Sequence, residues 1–195
     1  TLLLSYLWFK AGKKYHKQEQ FLVNHVQEVF LGLGVVAYSV YFGLVSMLRY
    51  TEYYTGRFDL GNMAQTVWNT ANGRLFMITD PNGTQTVSRL AFHADFILIL
   101  LSPLYLLWSD PRLLLIIQAA VVACGAIFVY GISRHLLKEK TISLVLAISF
   151  LMNPSVQRAT IYDFHAVVLA TTLLLGAVYF LLKKRYGFFL IRSRS

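Results

Sequence analysis

The sequence predicts an all-α, polytopic transmembrane helical bundle with about four spans, and with two membrane-surface helices in the first outer loop. The first indication is composition: 56% of the 195 residues are hydrophobic and 14% are charged, against about 45–50% and about 25% in soluble domains. The second is a pair of long charge-free runs, and the third is the clustering of Lys and Arg beside apolar segments. Together they exclude an ordinary soluble domain and a disordered chain.

Four segments are predicted to cross the membrane. A helix needs about 20 apolar residues to cross a hydrocarbon core of about 30 Å. Residues 29–48 and 113–132 satisfy this without a charge, and residues 166–182 are uncharged up to a Lys-Lys-Arg run. Residues 141–161 form the remaining span if the helix continues through Pro154, where we expect a kink because proline cannot donate a backbone hydrogen bond.

The segment 96–108 is the ambiguous one, because as a helix it would rise only about 20 Å. If it does not cross, three basic flanks share one side of the membrane and hold 12 of the 18 Lys and Arg residues: 10–17, 134–140 and 183–194. If it crosses, that side holds only six. Cytoplasmic loops carry the excess of Lys and Arg. We therefore expect 96–108 to stay on the outer face.

This topology predicts a multi-pass protein of the cell membrane, whose loop Arg49–Arg112 lies on the non-cytoplasmic side. Residues 59–71 have apolar positions at helical spacing and predict an amphipathic surface helix, with Asp59 as its N-cap and Gly73 just past its end. The turn-forming residues 79–86 predict a loop before the second surface helix, 96–108. The chain 1–195 begins inside the apolar stretch 2–9 and ends four residues after the apolar run 188–191, so we expect one incomplete membrane domain, a truncated fragment.

The outer segments contain acidic and histidine residues that could form a site. Asp59 opens the first surface helix, His93 and Asp95 precede the second, and Asp163 and His165 precede the last span. Convergence of these residues would give a catalytic site at Asp59 and, around His93, Asp95, Asp163 and His165, a polar site or a site for a divalent cation. Each also has a plain structural explanation: a helix cap, a polar pair at the membrane boundary, and a polar helix start.

The outer side is also expected to carry arginine without lysine. Guanidinium groups make planar, bidentate contacts with phosphate. Arg57, near Asp59, and Arg158, near Asp163, are the better candidates for binding a phosphate-bearing ligand. A nucleic-acid partner is not expected, since the basic residues are divided among separate loops.

Several motifs, taken in order, resemble a family of predicted polytopic membrane proteins of unknown function in bacteria and archaea. They are Phe58-Asp59-Leu60-Gly61, Gln65, Trp68, Gly73, His93, Leu101–Tyr105, Gln118 and Tyr162-Asp163-Phe164-His165. The family commonly has Pro after its Phe-His motif, whereas this chain has Ala166.

That family is distantly similar to the GT-C class of membrane glycosyltransferases. The resemblance implies that Asp59 is the catalytic base or a metal-associated acid, and that the donor is a polyprenyl-phosphate sugar. Substrate or phosphate binding then falls to Arg57, Arg158, Gln65 and Trp68. The alternative is a non-catalytic integral membrane protein, either a transporter subunit or a structural or lipid-binding protein. Residues 29–48, 113–132 and 166–182 contain no charge, which counts against ion-coupled transport.

Overall fold

The computed structural model describes residues 25–183, apart from the side chain of Arg57. The expectations for residues 1–24 and 184–195, including the basic flank at 10–17 and most of that at 183–194, lie outside the described residues. Within this range the all-α prediction is confirmed, with one small hairpin as the departure.

Seven α-helices and two short strands form the described chain. In order they are α1 (Val26–Thr51), a π-helical turn (Arg57–Gly61), α2 (Asn62–Ala71), β1 (Met77–Thr79), β2 (Thr86–Ser88), a 3₁₀ turn (Arg89–Ala91), α3 (Leu98–Tyr105), α4 (Pro111–Leu137), α5 (Lys140–Met152), α6 (Pro154–Ile161) and α7 (Ala166–Leu182).

Helix α4 is the centre of the bundle and packs against α1, α5 and α7. The first turn of α1 meets the last turns of α4, where Tyr130 donates a hydrogen bond to Glu28 (2.8 Å), so these two helices run antiparallel. Small residues of α4, including Ala119, Ala123 and Ala126, are fully buried in this interface. Small side chains let helices approach closely, which is how membrane helices associate.

Two helices, α1 and α4, are long and apolar enough to cross a membrane. One face of α1 exposes apolar side chains at helical spacing, as expected of a lipid-facing surface: Phe30, Leu33, Val36, Val40, Leu44 and Leu48. A third crossing results if α5 and α6 form one broken span. The bounds of α7 agree with the predicted segment, but it has 17 residues, and its crossing remains a prediction.

The predicted kink at Pro154 is present: α5 and α6 meet at an angle of 46°. Pro154 opens α6, and Asn153 caps it by accepting a hydrogen bond from the backbone N–H of Ser155 (2.9 Å). Gln157 donates its side-chain amide to the carbonyl of Leu151, the last buried residue of α5 (3.1 Å). The break therefore supplies its own hydrogen-bond partners.

Residues 52–110 lie together at one end of the bundle, which we call the loop end. Their core is formed by Met63 and Val67 of α2 packed with Leu98 and Leu101 of α3. Helix α3 has eight residues, about 12 Å of rise, which is too short for a helix that crosses a bilayer; that the segment stays on the outer face remains a prediction. It is shorter than the predicted 96–108 at both ends, since the regular helix begins at Leu98 and stops at Tyr105. The opposite end carries Arg134, Lys138 and Lys140, and we call it the basic end.

Two details of this segment differ from expectation. Strands β1 and β2 pair antiparallel, with Met77 opposite Ser88, around the turn-forming residues that sequence predicted only as a loop. The N-cap role of Asp59 is wrong, since the chain is already helical from Arg57. The other end of that helix is as predicted: Gly73 follows the last turn with φ +81°, a left-handed conformation that glycine adopts without a steric penalty.

Candidate functional site

Asp59 and His165 meet at the loop end, although 106 positions separate them in the chain. Oδ1 of Asp59 lies 3.3 Å from Nε2 of His165, and Oδ2 accepts a hydrogen bond from the hydroxyl of Tyr162 at 3.4 Å. Both side chains keep about a third of their surface exposed: 35% for Asp59 and 29% for His165. The carboxylate is therefore held by two neighbours and remains accessible.

Asp163 brings a second carboxylate to the same place. It is 4% exposed, and its Oδ2 accepts the backbone N–H of Gly56. A Cβ built on Gly56 would lie 3.1 Å from Oδ2 of Asp163 and 3.6 Å from Oδ2 of Asp59. The two carboxylates thus converge beside Gly56, where a side chain would crowd them. Oδ1 of Asp163 is buried and has no hydrogen-bond partner among the described residues.

The imidazole of His165 is oriented from both of its nitrogens. Nδ1 lies 2.9 Å from the backbone carbonyl of Asp163, and a carbonyl oxygen can only accept, so Nδ1 carries the proton. Nε2 then faces the carboxylate of Asp59. In its doubly protonated form the ring donates to both oxygens and forms an ion pair with Asp59.

Gln118 holds the connection that carries Asp163 and His165. It is fully buried in α4. Its Nε2 lies within 3.2–3.3 Å of the carbonyls of Ala159, Thr160 and Tyr162, and its Oε1 accepts the backbone N–H of His165 (2.9 Å). Sequence analysis did not assign this residue to the site. A signal was present, because Gln118 is the only amide side chain in the predicted span 113–132.

The pair His93 and Asp95 has different surroundings. The carboxylate of Asp95 forms an ion pair with Nε of Arg89 (2.9 Å), whose side chain is 9% exposed. His93 is exposed and lines, with Asp95, a cavity of about 400 Å³ against Ala166 and Val167 of α7. The structure thus assigns Asp95 an ion-pairing role next to the last helix. The proposed convergence holds for Asp59, Asp163 and His165.

The predicted binding residues are placed around this cluster. Gln65 pairs with Thr79 of β1 through both ends of its amide (2.8 and 3.1 Å) and lines a cavity of about 300 Å³ beside Phe58. Trp68 is 43% exposed and stacks under the guanidinium of Arg74 (5.2 Å to the ring centroid). Arg158 is exposed on α6, one turn before Tyr162. Their roles in binding stay predictions.

A metal ion has no evident site in the described part of the chain. Among residues 25–183, no group of three or more His, Cys, Asp or Glu side chains is arranged to hold one. The geometry instead brings together one accessible carboxylate, one buried carboxylate and one imidazole, a combination suited to accepting and moving a proton.

The long apolar helices and the lipid-facing surface of α1 define an integral membrane protein. The family described as "Predicted membrane protein (DUF2079)" matches residues 49–193, and the chain belongs to that family. This confirms the resemblance to uncharacterised polytopic membrane proteins. No curated protein and no solved structure matches the chain.

Proposed function

We propose that this protein is a membrane glycosyltransferase of the GT-C type, which transfers a hexosyl group from a polyprenyl-phosphate sugar on the non-cytoplasmic face. The observation that carries the proposal is the convergence of Asp59, Asp163 and His165 at the loop end of the bundle. The distant resemblance of the motifs to GT-C enzymes supplies the reaction class.

Asp59 is the candidate general base, because its carboxylate is exposed enough to meet an acceptor hydroxyl. In the step we propose, the acceptor oxygen attacks the anomeric carbon of the donor and its proton passes to Asp59. The bond between the anomeric carbon and the phosphate oxygen breaks, and polyprenyl phosphate leaves with the bonding electrons. A positioned base of this kind contributes about 10²–10⁴-fold to a rate.

Asp163 and His165 would position that base. Asp163 fixes the backbone of Gly56, three residues before Asp59, and His165 contacts Asp59 directly. Such supporting contacts hold a reactive group within the narrow range of geometry that catalysis needs.

The leaving phosphate requires positive charge. Arg158 is exposed at the same end of the bundle as Asp59, and Arg57 begins the π-helical turn that carries Asp59. Arginine at these positions suits bidentate binding of phosphate oxygens.

The proposed location on the non-cytoplasmic side follows from charge at the basic end, where Arg134, Lys138 and Lys140 lie. Cysteines introduced at Asn82 and at Lys138, one at each end, test it in intact cells after replacement of Cys124 by Ala. We expect an impermeant thiol reagent to label residue 82 and not residue 138. The opposite labelling would place Asp59 in the cytoplasm and refute the proposal.

The activity is tested with the full-length protein in proteoliposomes, by transfer of the hexosyl group from a panel of polyprenyl-phosphate hexoses to acceptor, measured as formation of polyprenyl phosphate. Asp59→Asn should lower the transfer rate by about 100-fold or more. Asp110→Asn is the matched control: Asp110 caps α4 at the same end through the N–H of Arg112 (2.8 Å), and Asn caps equally well. Full activity of Asp59→Asn would refute the assigned base. A wild-type protein that consumes no donor would favour the non-catalytic alternative.

A further inference from the structure

A third cavity, of about 400 Å³, opens at the basic end of the bundle between α4 and α7. Its charged wall is formed by Arg134, Lys138 and Lys183, and its apolar wall by Ile127, Phe128 and Tyr179. We propose that this cavity binds the phosphate headgroup of an anionic membrane lipid. The site lies at the opposite end from Asp59 and does not depend on the proposed glycosyl transfer.

The nearby carboxylates form no ion pair with the cations of this cavity, although Glu139 interacts electrostatically with Arg134. Glu28 pairs with Lys140 (3.2 Å) and accepts the hydroxyl of Tyr130. Glu139 accepts the backbone N–H groups of Thr141 and Ile142, which caps α5. Within residues 25–183, no ion pair to Arg134, Lys138 or Lys183 is formed. Three cations thus surround a space, and a phosphate group bound there would neutralise part of their charge.

The shape of the cavity suits a lipid. The cations stand where α4 and α7 end, which is the level expected for headgroups at the end of a membrane span. Below them, the ring of Tyr179 packs tightly on the backbone of α4: a Cβ on Gly131 would lie 2.6 Å from Cε2 of that ring. Lys183 lies over the same ring, 5.8 Å from its centroid. Ile127, nearly half exposed, continues the apolar wall toward the bilayer core, where an acyl chain would lie.

Charge complementarity therefore selects an anionic lipid over a neutral one, and the apolar wall selects a lipid over free phosphate. Cations at helix C-termini are also favoured by the helix dipole and by the positive-inside bias. Neither effect needs a bound lipid. The positive-inside bias acts on Lys140 as much as on the residues of the cavity, whereas the helix dipole does not favour Lys140, which opens α5.

The test counts lipids retained by the full-length protein in native mass spectrometry after incubation with phosphatidylglycerol or phosphatidylcholine in detergent. We expect retention of phosphatidylglycerol by the wild type, and about a tenfold or greater loss of affinity in Arg134→Gln/Lys183→Gln. Lys140→Gln removes one charge from the same end outside the cavity and should retain the lipid. Arg134→Lys/Lys183→Arg keeps both charges and should retain the lipid. An unchanged thermal unfolding temperature of the double Gln variant would show that it did not lose the lipid by unfolding.

Three results would overturn the proposal. One is equal loss of phosphatidylglycerol in Lys140→Gln and in the double Gln variant, which would mean diffuse attraction to the basic end. Another is equal retention of phosphatidylcholine by the wild type. The third is complete displacement of the lipid by millimolar inorganic phosphate, which would identify the cavity as a site for the free anion.

Discussion

The chain has two Asp/His pairs with the same spacing, and their surroundings differ. Asp163 is buried, and its neighbour His165 reaches Asp59 across the bundle. The carboxylate of Asp95 forms an ion pair with Arg89, and His93 is exposed. The backbone causes the difference: Gln118 binds both sides of the 162–165 connection, whereas the 93–95 segment follows a 3₁₀ turn of the loop. Residue type and spacing indicate a candidate site. Whether the side chains converge depends on the contacts that fix the backbone carrying them.

The largest expected effect is on the rate of sugar transfer, which should fall on substitution of His165 and not on substitution of His93. His165→Ala should lower kcat for sugar transfer by about 100-fold with little change in KM, because Asp59 loses the partner that orients it. His165→Gln can still donate to Asp59 and should recover part of the rate. His93→Ala is the matched control. Equal losses in both alanine variants would remove the distinction between the pairs.

The next effect is on the free energy of unfolding. The loss should be larger for substitution of Asp95, in the pair without a proposed catalytic role, than for substitution of Asp59. Asp95→Ala leaves the nearly buried guanidinium of Arg89 without its carboxylate, and we expect a loss of about 3 kcal/mol. Asp59→Ala removes an exposed carboxylate and should change stability much less. Thermal unfolding of both variants in one detergent measures this. A more stable Asp95→Ala would contradict the ion-pairing role.

Gln118→Leu tests what holds the 162–165 connection. The substitution places an apolar side chain of similar size in α4. It leaves the N–H of His165 and nearby carbonyls without their partner. We expect a loss of about 2 kcal/mol, accompanied by slower sugar transfer because His165 shifts. Limited proteolysis between Ile161 and Ala166 checks the local loosening. Unchanged cleavage there would mean that other contacts fix the connection.

The smallest effect concerns Asp80, whose carboxylate acts only within its own turn. The backbone N–H of Gln85, and then that of Thr84, holds the pKa of Asp80 below its usual value. The ionised form is therefore the one that stabilises the folded turn, so this contribution is present at neutral pH and is lost as pH falls through the folded pKa. Hydrogen exchange at the amides of Thr84 and Gln85 should quicken relative to the rest of the hairpin in acid, and Asp80→Asn should abolish that dependence.

The sequence predicted the parts of the fold that depend on local physics. Hydropathy located α1, α4 and α7, and Pro154 marked the break between α5 and α6. The hairpin was missed because strands of three residues are too short to show an alternating pattern. The cap assigned to Asp59 was wrong because the chain is already helical from Arg57. The partners that Asp59 has instead, Tyr162 and His165, are distant in the chain. A contact of that range is decided by helix packing, which one sequence does not display.

The break between α5 and α6 has a consequence for how the candidate site is positioned. A peptide group left without a partner in hydrocarbon costs several kcal/mol. Asn153 and Gln157 supply hydrogen bonds at the interruption, which lowers that cost. Helix α6 leads directly to Tyr162, whose hydroxyl contacts Asp59. A change in the angle of the break would therefore move Tyr162 relative to the carboxylate that it contacts.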